Sequence, residues 1–164
     1  MTIQTRELTY ESAGVTFNST MAWDDTLGPR PAVLVAPTWA GSTDFERAQA
    51  LRLAGLGYVG LAVDMYGGGA VGADKAECTA LMTPVMSDRA MLQARIAAAV
   101  DAIRMQPESL DQPVAAIGFC FGGLCVLDLA RSRQDIAGVV SLHGLLLPAD
   151  NVPEPDLQAK VLVL

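Results

Sequence analysis

Residues 118–123 read GFCFGG, directly after the apolar run PVAAI, and their last two glycines open the helix-like stretch GGLCVLDLARS. A cysteine with a glycine two residues away on either side is a candidate nucleophile. A turn from strand to helix this sharp leaves no room for Cβ atoms at the two glycine positions. The pattern is that of a nucleophile elbow, G-x-S-x-G, with Cys120 in place of serine. It would aim the Phe121 amide, at a helix N-terminus, toward the place where an oxyanion forms in acyl transfer. Three other uses compete. The glycines could cradle a phosphate, although G-x-x-x-G-G fits neither the dinucleotide fingerprint nor the Walker sequence. Cys120 could be a small buried hydrophobe. Cys120 and Cys125 could form a redox or metal pair, which their spacing opposes, because five residues on a helix point two thiols to different faces.

The elements that would position Cys120 follow from hydrophobic patterning. TRELTYESAG and VTFNSTMAWDD alternate apolar and polar residues about Gly14, as an antiparallel hairpin with one wet face does. PAVLVAP (31–37), YVGLAVDMY, PVAAIGF and IAGVVSLHG are short apolar runs bounded by turn residues, the pattern of strands covered on both faces, and AKVLVL (159–164) begins a fifth. Between them, residues 43–56 read as a helix with Phe45, Leu51 and Leu53 at helical spacing, ended by Gly57. GGGAVGAD (67–74) is a loop. Residues 75–105 read as helix broken near Pro84, the second part capped by Ser87 or Asp88, and LLLPADNVPEPDLQ reads as loop. Strands alternating with crossover helices predict one α/β domain: a mostly parallel sheet with helices on both faces and an antiparallel N-terminal hairpin.

Composition narrows the partners. The 164 residues are 51% hydrophobic, enough for one domain with a core, and carry a formal net charge of -7. That charge argues against nucleic acid or an anionic membrane as a partner and leaves a small molecule. With no secretory leader pattern and no apolar run of spanning length, a cytoplasmic protein is expected. Cys78, Cys120 and Cys125, an odd count at no metal-ligand spacing, suit free thiols in a reducing compartment.

GFCFGG, LVAPTWAG at the end of one strand, DMYGGG after the next and VVSLHG after the elbow helix together resemble the dienelactone hydrolase family of the α/β-hydrolase superfamily, in the right order and over nearly the whole chain. The resemblance implies a Cys-His-Asp triad that hydrolyses an ester or lactone bond, the type reaction being the opening of a dienelactone to maleylacetate (carboxymethylenebutenolidase-like chemistry) without metal or cofactor. It implies Cys120 as nucleophile and the Phe121 and Trp39 N–H groups as oxyanion donors. Thr38 falls where the best-known members place a glutamate that contacts the resting cysteine, a departure that bears on how the thiol is activated and on the substrate. Glu46, close by in sequence, reads as solvated on an exposed helix face. Lys75 lies near the region where relatives bind a substrate carboxylate, but a lysine opening an acidic helix also reads as plain surface.

The base is the missing part. A thiol of ordinary acidity is only about a few per cent ionised at neutral pH, and a helix N-terminus assists without replacing a histidine. The chain has one histidine, His143, at the end of the strand after the elbow helix. The resemblance makes it a pocket-lining residue and puts the triad aspartate and histidine after the next strand, beyond Leu164. A pairing of His143 with Asp150 or Asp156 within the chain is the alternative. The expectation is therefore a family member lacking its last strands and helices, a monomer if complete, with association open to it through the exposed strand VLVL. A function of another class remains beside the hydrolase: a catalytically inactive module that binds a small molecule or a protein.

Overall fold

The computed structural model describes residues 1–133, 135–153 and 157–164. Its strands are β1 (Ile3–Ser12), β2 (Val15–Asp24), β3 (Ala32–Ala36), β4 (Val59–Ala62), β5 (Val114–Phe119), β6 (Ile136–Leu142) and β7 (Lys160–Val163). Its helices are α1 (Asp44–Gly55), α2 (Lys75–Ser87), α3 (Arg89–Arg104) and α4 (Phe121–Ser132). The strands form one sheet in the order β1-β2-β4-β3-β5-β6-β7. The β1–β2 hairpin turns at Ala13 and Gly14, both with positive φ (50° and 77°), the twist a two-residue hairpin favours. β2 joins β4 antiparallel, and every pairing from β4 to β7 is parallel. This is the mostly parallel sheet with an antiparallel hairpin that the patterning predicts.

Helices cover both faces, and alternate residues separate them. Met21 of β2 and Leu61 of β4 belong to the large core with α3 and α4, whereas the next residues, Ala22 and Ala62, pack with Ala50 and Ala54 of α1. β3 and β4 are buried at every residue, as a strand covered on both sides must be.

The inner face of α1 corrects the sequence reading. Phe45 and Leu51 are exposed, and the helix buries Glu46, Ala50 and Ala54 instead. The reason lies in β4: a side chain at Gly60 would strike the backbone of Ala50, so at that point α1 rides too close to the sheet for a large residue. The helix break is also displaced. Pro84 sits inside the last turns of α2, and the chain leaves helical geometry at Asp88 (φ -115°, ψ 92°), whose side chain caps α3 by accepting from Met91 N–H at 3.1 Å.

At the far side of α4, Asp128 is fully buried and paired with buried Arg89, while Arg131 donates to the same carboxylate. The Arg89 guanidinium also donates to the Pro148 carbonyl at 2.8 Å, fastening the loop after β6 to α3. β7 lies at the sheet edge with all four residues exposed. No helix among the described residues is long and apolar enough to cross a membrane.

Candidate active site

The elbow is built by backbone contact. An added Cβ at Gly118 would run into the Gly122 carbonyl, and one at Gly122 would run into the Ala36 carbonyl of β3, so α4 starts in direct contact with two strands. Cys120 between them takes φ 54° and ψ -114°, a conformation L-residues rarely hold and one that clusters at functional sites. Its N–H donates to Leu142 of β6 at 3.0 Å, and its carbonyl accepts from Gly123 at 3.0 Å. The side chain stands at the N-cap of α4, caps nothing and is partly exposed, whereas Cys78 and Cys125 are buried. Burial, and then the charge of Asp128, push the Cys125 thiol well above its ordinary range, which leaves it inert.

The second wall is the loop that leaves β3. The Thr38 carbonyl accepts from Gly41 N–H at 3.1 Å, the Trp39 carbonyl accepts from the Tyr66 hydroxyl at 2.7 Å, and the Ala40 carbonyl accepts from Gly72 N–H at 2.9 Å. Among the described residues, neither Trp39 N–H nor Phe121 N–H donates to a protein acceptor. These are the two amides that the resemblance names as oxyanion donors. Tyr66 stacks on Phe121 with ring centroids 6.0 Å apart. Burial raises its hydroxyl above the ordinary tyrosine range, with Cys125, Cys78, Cys120 and Glu46 adding to the effect, so it is a neutral donor set among the three thiols.

Glu46 overturns the expectation of a solvated side chain. It is fully buried, and its carboxylate accepts from Thr38 N–H at 3.0 Å, Thr43 N–H at 2.8 Å and the Thr43 hydroxyl at 2.6 Å. The signal that could have found it is the capping-box spacing of TDFE, Thr43 to Glu46.

His143 is exposed, with φ 52°, and its N–H donates to the Leu164 carbonyl at 2.8 Å. It follows Leu142, which holds the Cys120 amide, so its backbone is at the elbow edge. Its imidazole makes no hydrogen bond to any described residue. Asp150 is exposed, Asp156 lies outside the described residues, and Lys75 is exposed on the first turn of α2.

A mixed sheet with a cysteine elbow at the carboxyl end of a central parallel strand is the architecture of the α/β hydrolases. The chain belongs to the dienelactone hydrolase family, whose model matches residues 17–164. The solved structure m3DLH is 37% identical, with a TM-score of 0.89, over 98% of this chain and 68% of that one. A dienelactone hydrolase-like promiscuous phosphotriesterase from metagenomic libraries is 38% identical, with a TM-score of 0.89, over 98% of this chain and 67% of that one. An uncharacterized protein of Caenorhabditis elegans is 46% identical over 69 residues, which span 41% of this chain and 44% of the worm protein. The chain thus spans less than half the length of the curated relative it matches.

Proposed function

We propose that this chain carries the nucleophile and oxyanion hole of a cysteine-dependent hydrolase acting on an ester or lactone bond of a small molecule. The Cys120 sulfur attacks the carbonyl carbon, and the carbonyl electrons move onto oxygen, which the Phe121 and Trp39 N–H groups receive. Collapse breaks the bond to the alkoxy oxygen and leaves a thioester on Cys120. Water then attacks the thioester, the same amides hold the second oxyanion, and the carboxylic acid leaves as the thiol re-forms. The leaving oxygen and the attacking water need a group that gives and takes a proton. In this reading that group is a histidine oriented by an aspartate, both from outside residues 1–164. Thr38 and His143 line the pocket.

The observation that supports the reading is a partly exposed cysteine in a strained turn at the start of a helix, with the Phe121 and Trp39 amides bound to no protein acceptor among the described residues. The test is release of p-nitrophenol from p-nitrophenyl acetate, measured on residues 1–164 and on a chain continued past Leu164. We expect little turnover from the first, Cys120-dependent turnover from the second, and a mass increase of one acetyl group on Cys120 when hydrolysis is slow. Full-rate hydrolysis by residues 1–164 returns His143 to the role of base. No Cys120-dependent turnover in either chain favours a binding module.

A further inference from the structure

We infer that Glu46, together with the Tyr66 hydroxyl, is a positioning residue that fixes the direction of the Trp39 N–H; this rests on the proposal that this amide receives the oxyanion. The Trp39 amide belongs to the peptide between Thr38 and Trp39. A trans peptide carries its N–H opposite to its C=O, so the hydrogen bond that holds the Thr38 carbonyl on Gly41 sets where the Trp39 N–H points. That peptide is held from both sides. On the preceding peptide, Thr38 N–H is bound to one oxygen of Glu46, and on the following one the Trp39 carbonyl is bound by Tyr66. The Thr38 N–H, the Thr38 carbonyl and the Trp39 carbonyl are each held, and among the described residues the Trp39 N–H between them donates to no protein acceptor.

An ordinary capping-box glutamate would not do this. The box needs one bond from the side chain to the N-cap amide, and the carboxylate usually sits in water. Here the second oxygen takes the Thr38 amide, which is no part of the box, and the carboxylate is fully buried. Three donors converge on the two oxygens, so both must accept. Glutamine offers one accepting oxygen and would turn an NH₂ toward a donor, which makes Glu46→Gln an informative change in spite of its near-identical shape.

The experiment uses the full gene-encoded chain and compares Glu46→Gln, Glu46→Ala and Tyr66→Phe with Thr43→Val. The last removes the helix cap and leaves the Thr38 tie in place. Hydrolysis of p-nitrophenyl acetate, melting temperature and alkylation of Cys120 by iodoacetamide are read for each. Alkylation displaces iodide at a saturated carbon and forms no oxyanion, so it reports the thiol alone. We expect kcat to fall about 10-fold or more in the Glu46 variants and in Tyr66→Phe, with KM and the alkylation rate within about threefold of the parent, since small displacements at such a site are costly. Thr43→Val should lose comparable melting temperature and keep kcat within about threefold. The inference is overturned if kcat follows melting temperature across all four variants, or if alkylation falls in step with kcat. Tyr66→Phe decides the matter if the Glu46 variants do not fold. A parent chain with no Cys120-dependent turnover removes the function proposed above, and this inference with it.

Discussion

Strands β5 and β6 present two faces with opposite surroundings. On one face, Val114, Ala116, Ile136 and Val139 are buried in the core with α4, and the helix is seated so closely that its first turn touches strand backbone at Gly118 and Gly122. On the other face the intervening residues, Ala115, Ile117, Ala137 and Val140, line an open apolar groove with Leu162 of β7. Both faces are apolar, and in β5 the two alternate residue by residue. Hydrophobic alternation therefore says which residues could be covered. Close backbone approach, marked by glycine, says where a helix has in fact been seated.

The largest effect expected from this contrast is at Gly122. Its missing side chain faces the Ala36 carbonyl, a backbone atom in the middle of the sheet that cannot step aside. Gly122→Val should cost more than about 4 kcal/mol or prevent folding, whereas Ile117→Thr in the open groove should cost less than about 1 kcal/mol. Urea unfolding of both variants tests the pair. Equal losses would mean that α4 is not seated by contact, and that the groove is as tightly packed as the elbow.

A smaller effect is expected at the outer side of the same helix. Asp128→Ala leaves Arg89 buried without its partner and Arg131 without its acceptor, and should destabilise by about 3 to 5 kcal/mol. Replacing both members of the buried pair, Arg89→Met with Asp128→Leu, should recover most of that loss, because the desolvation of two charges is removed together. No recovery in the double variant would show that the tie from Arg89 to Pro148, and with it the loop after β6, carries the stability instead.

The elements and the elbow could be read from the sequence because each is a local pattern. The hairpin alternates, β3 and β4 are continuous apolar runs, and GFCFGG has its glycines at the spacing a strand-to-helix turn demands. The capping-box spacing marks Glu46 as a partner of Thr43, but its burial has a cause that is not local. Phe45, Leu51 and Leu53 are the large apolar side chains of α1, and by size alone they would be chosen as its buried residues. Gly60 on β4, 14 residues further on, brings the helix close enough that only Ala50, Ala54 and a glutamate with its own set of donors fit beneath it. Pro84 misled in the opposite direction. A proline disfavours a helix interior, but near the end of α2 little helix remains to be lost, and Asp88 supplies the actual break by capping α3.

Thiol chemistry separates the two faces without unfolding anything. Cys125 lies within α4, fully buried, with its thiol pushed up by burial, and Cys120 opens at the helix start. At pH 8, iodoacetamide should label Cys120 in the native chain and leave Cys125 unmodified, with both labelled in urea. Native labelling of Cys125 at the rate of Cys120 would show that α4 opens readily from the sheet.

The smallest effect lies at the opposite edge of the sheet, at β1. Arg6 of β1 reaches across to Glu108 with two hydrogen bonds, the second at 2.7 Å, and lies over the ring of Trp23 on β2, so a charge pair spans this edge, whereas β7 carries one charged residue, Lys160, beside exposed Val161, Leu162 and Val163. The hydrogen bond from Arg6 holds the Glu108 carboxyl below its ordinary value of 4.5, against the opposing effect of burial. A carboxylate lowered on folding binds fewer protons in the folded chain than in the unfolded one. Its contribution is therefore whole above the unfolded value and fades as pH falls through the folded one. Because both side chains are partly exposed, that contribution is under about 1 kcal/mol, or at most about 2 to 4 °C in melting temperature. Glu108→Gln should lower the melting temperature by that much at pH 7, and the difference from the parent should close as pH is taken progressively below 4.5. A difference that stays constant over that range would mean that Glu108 holds the β1 edge by packing, with no part played by its charge.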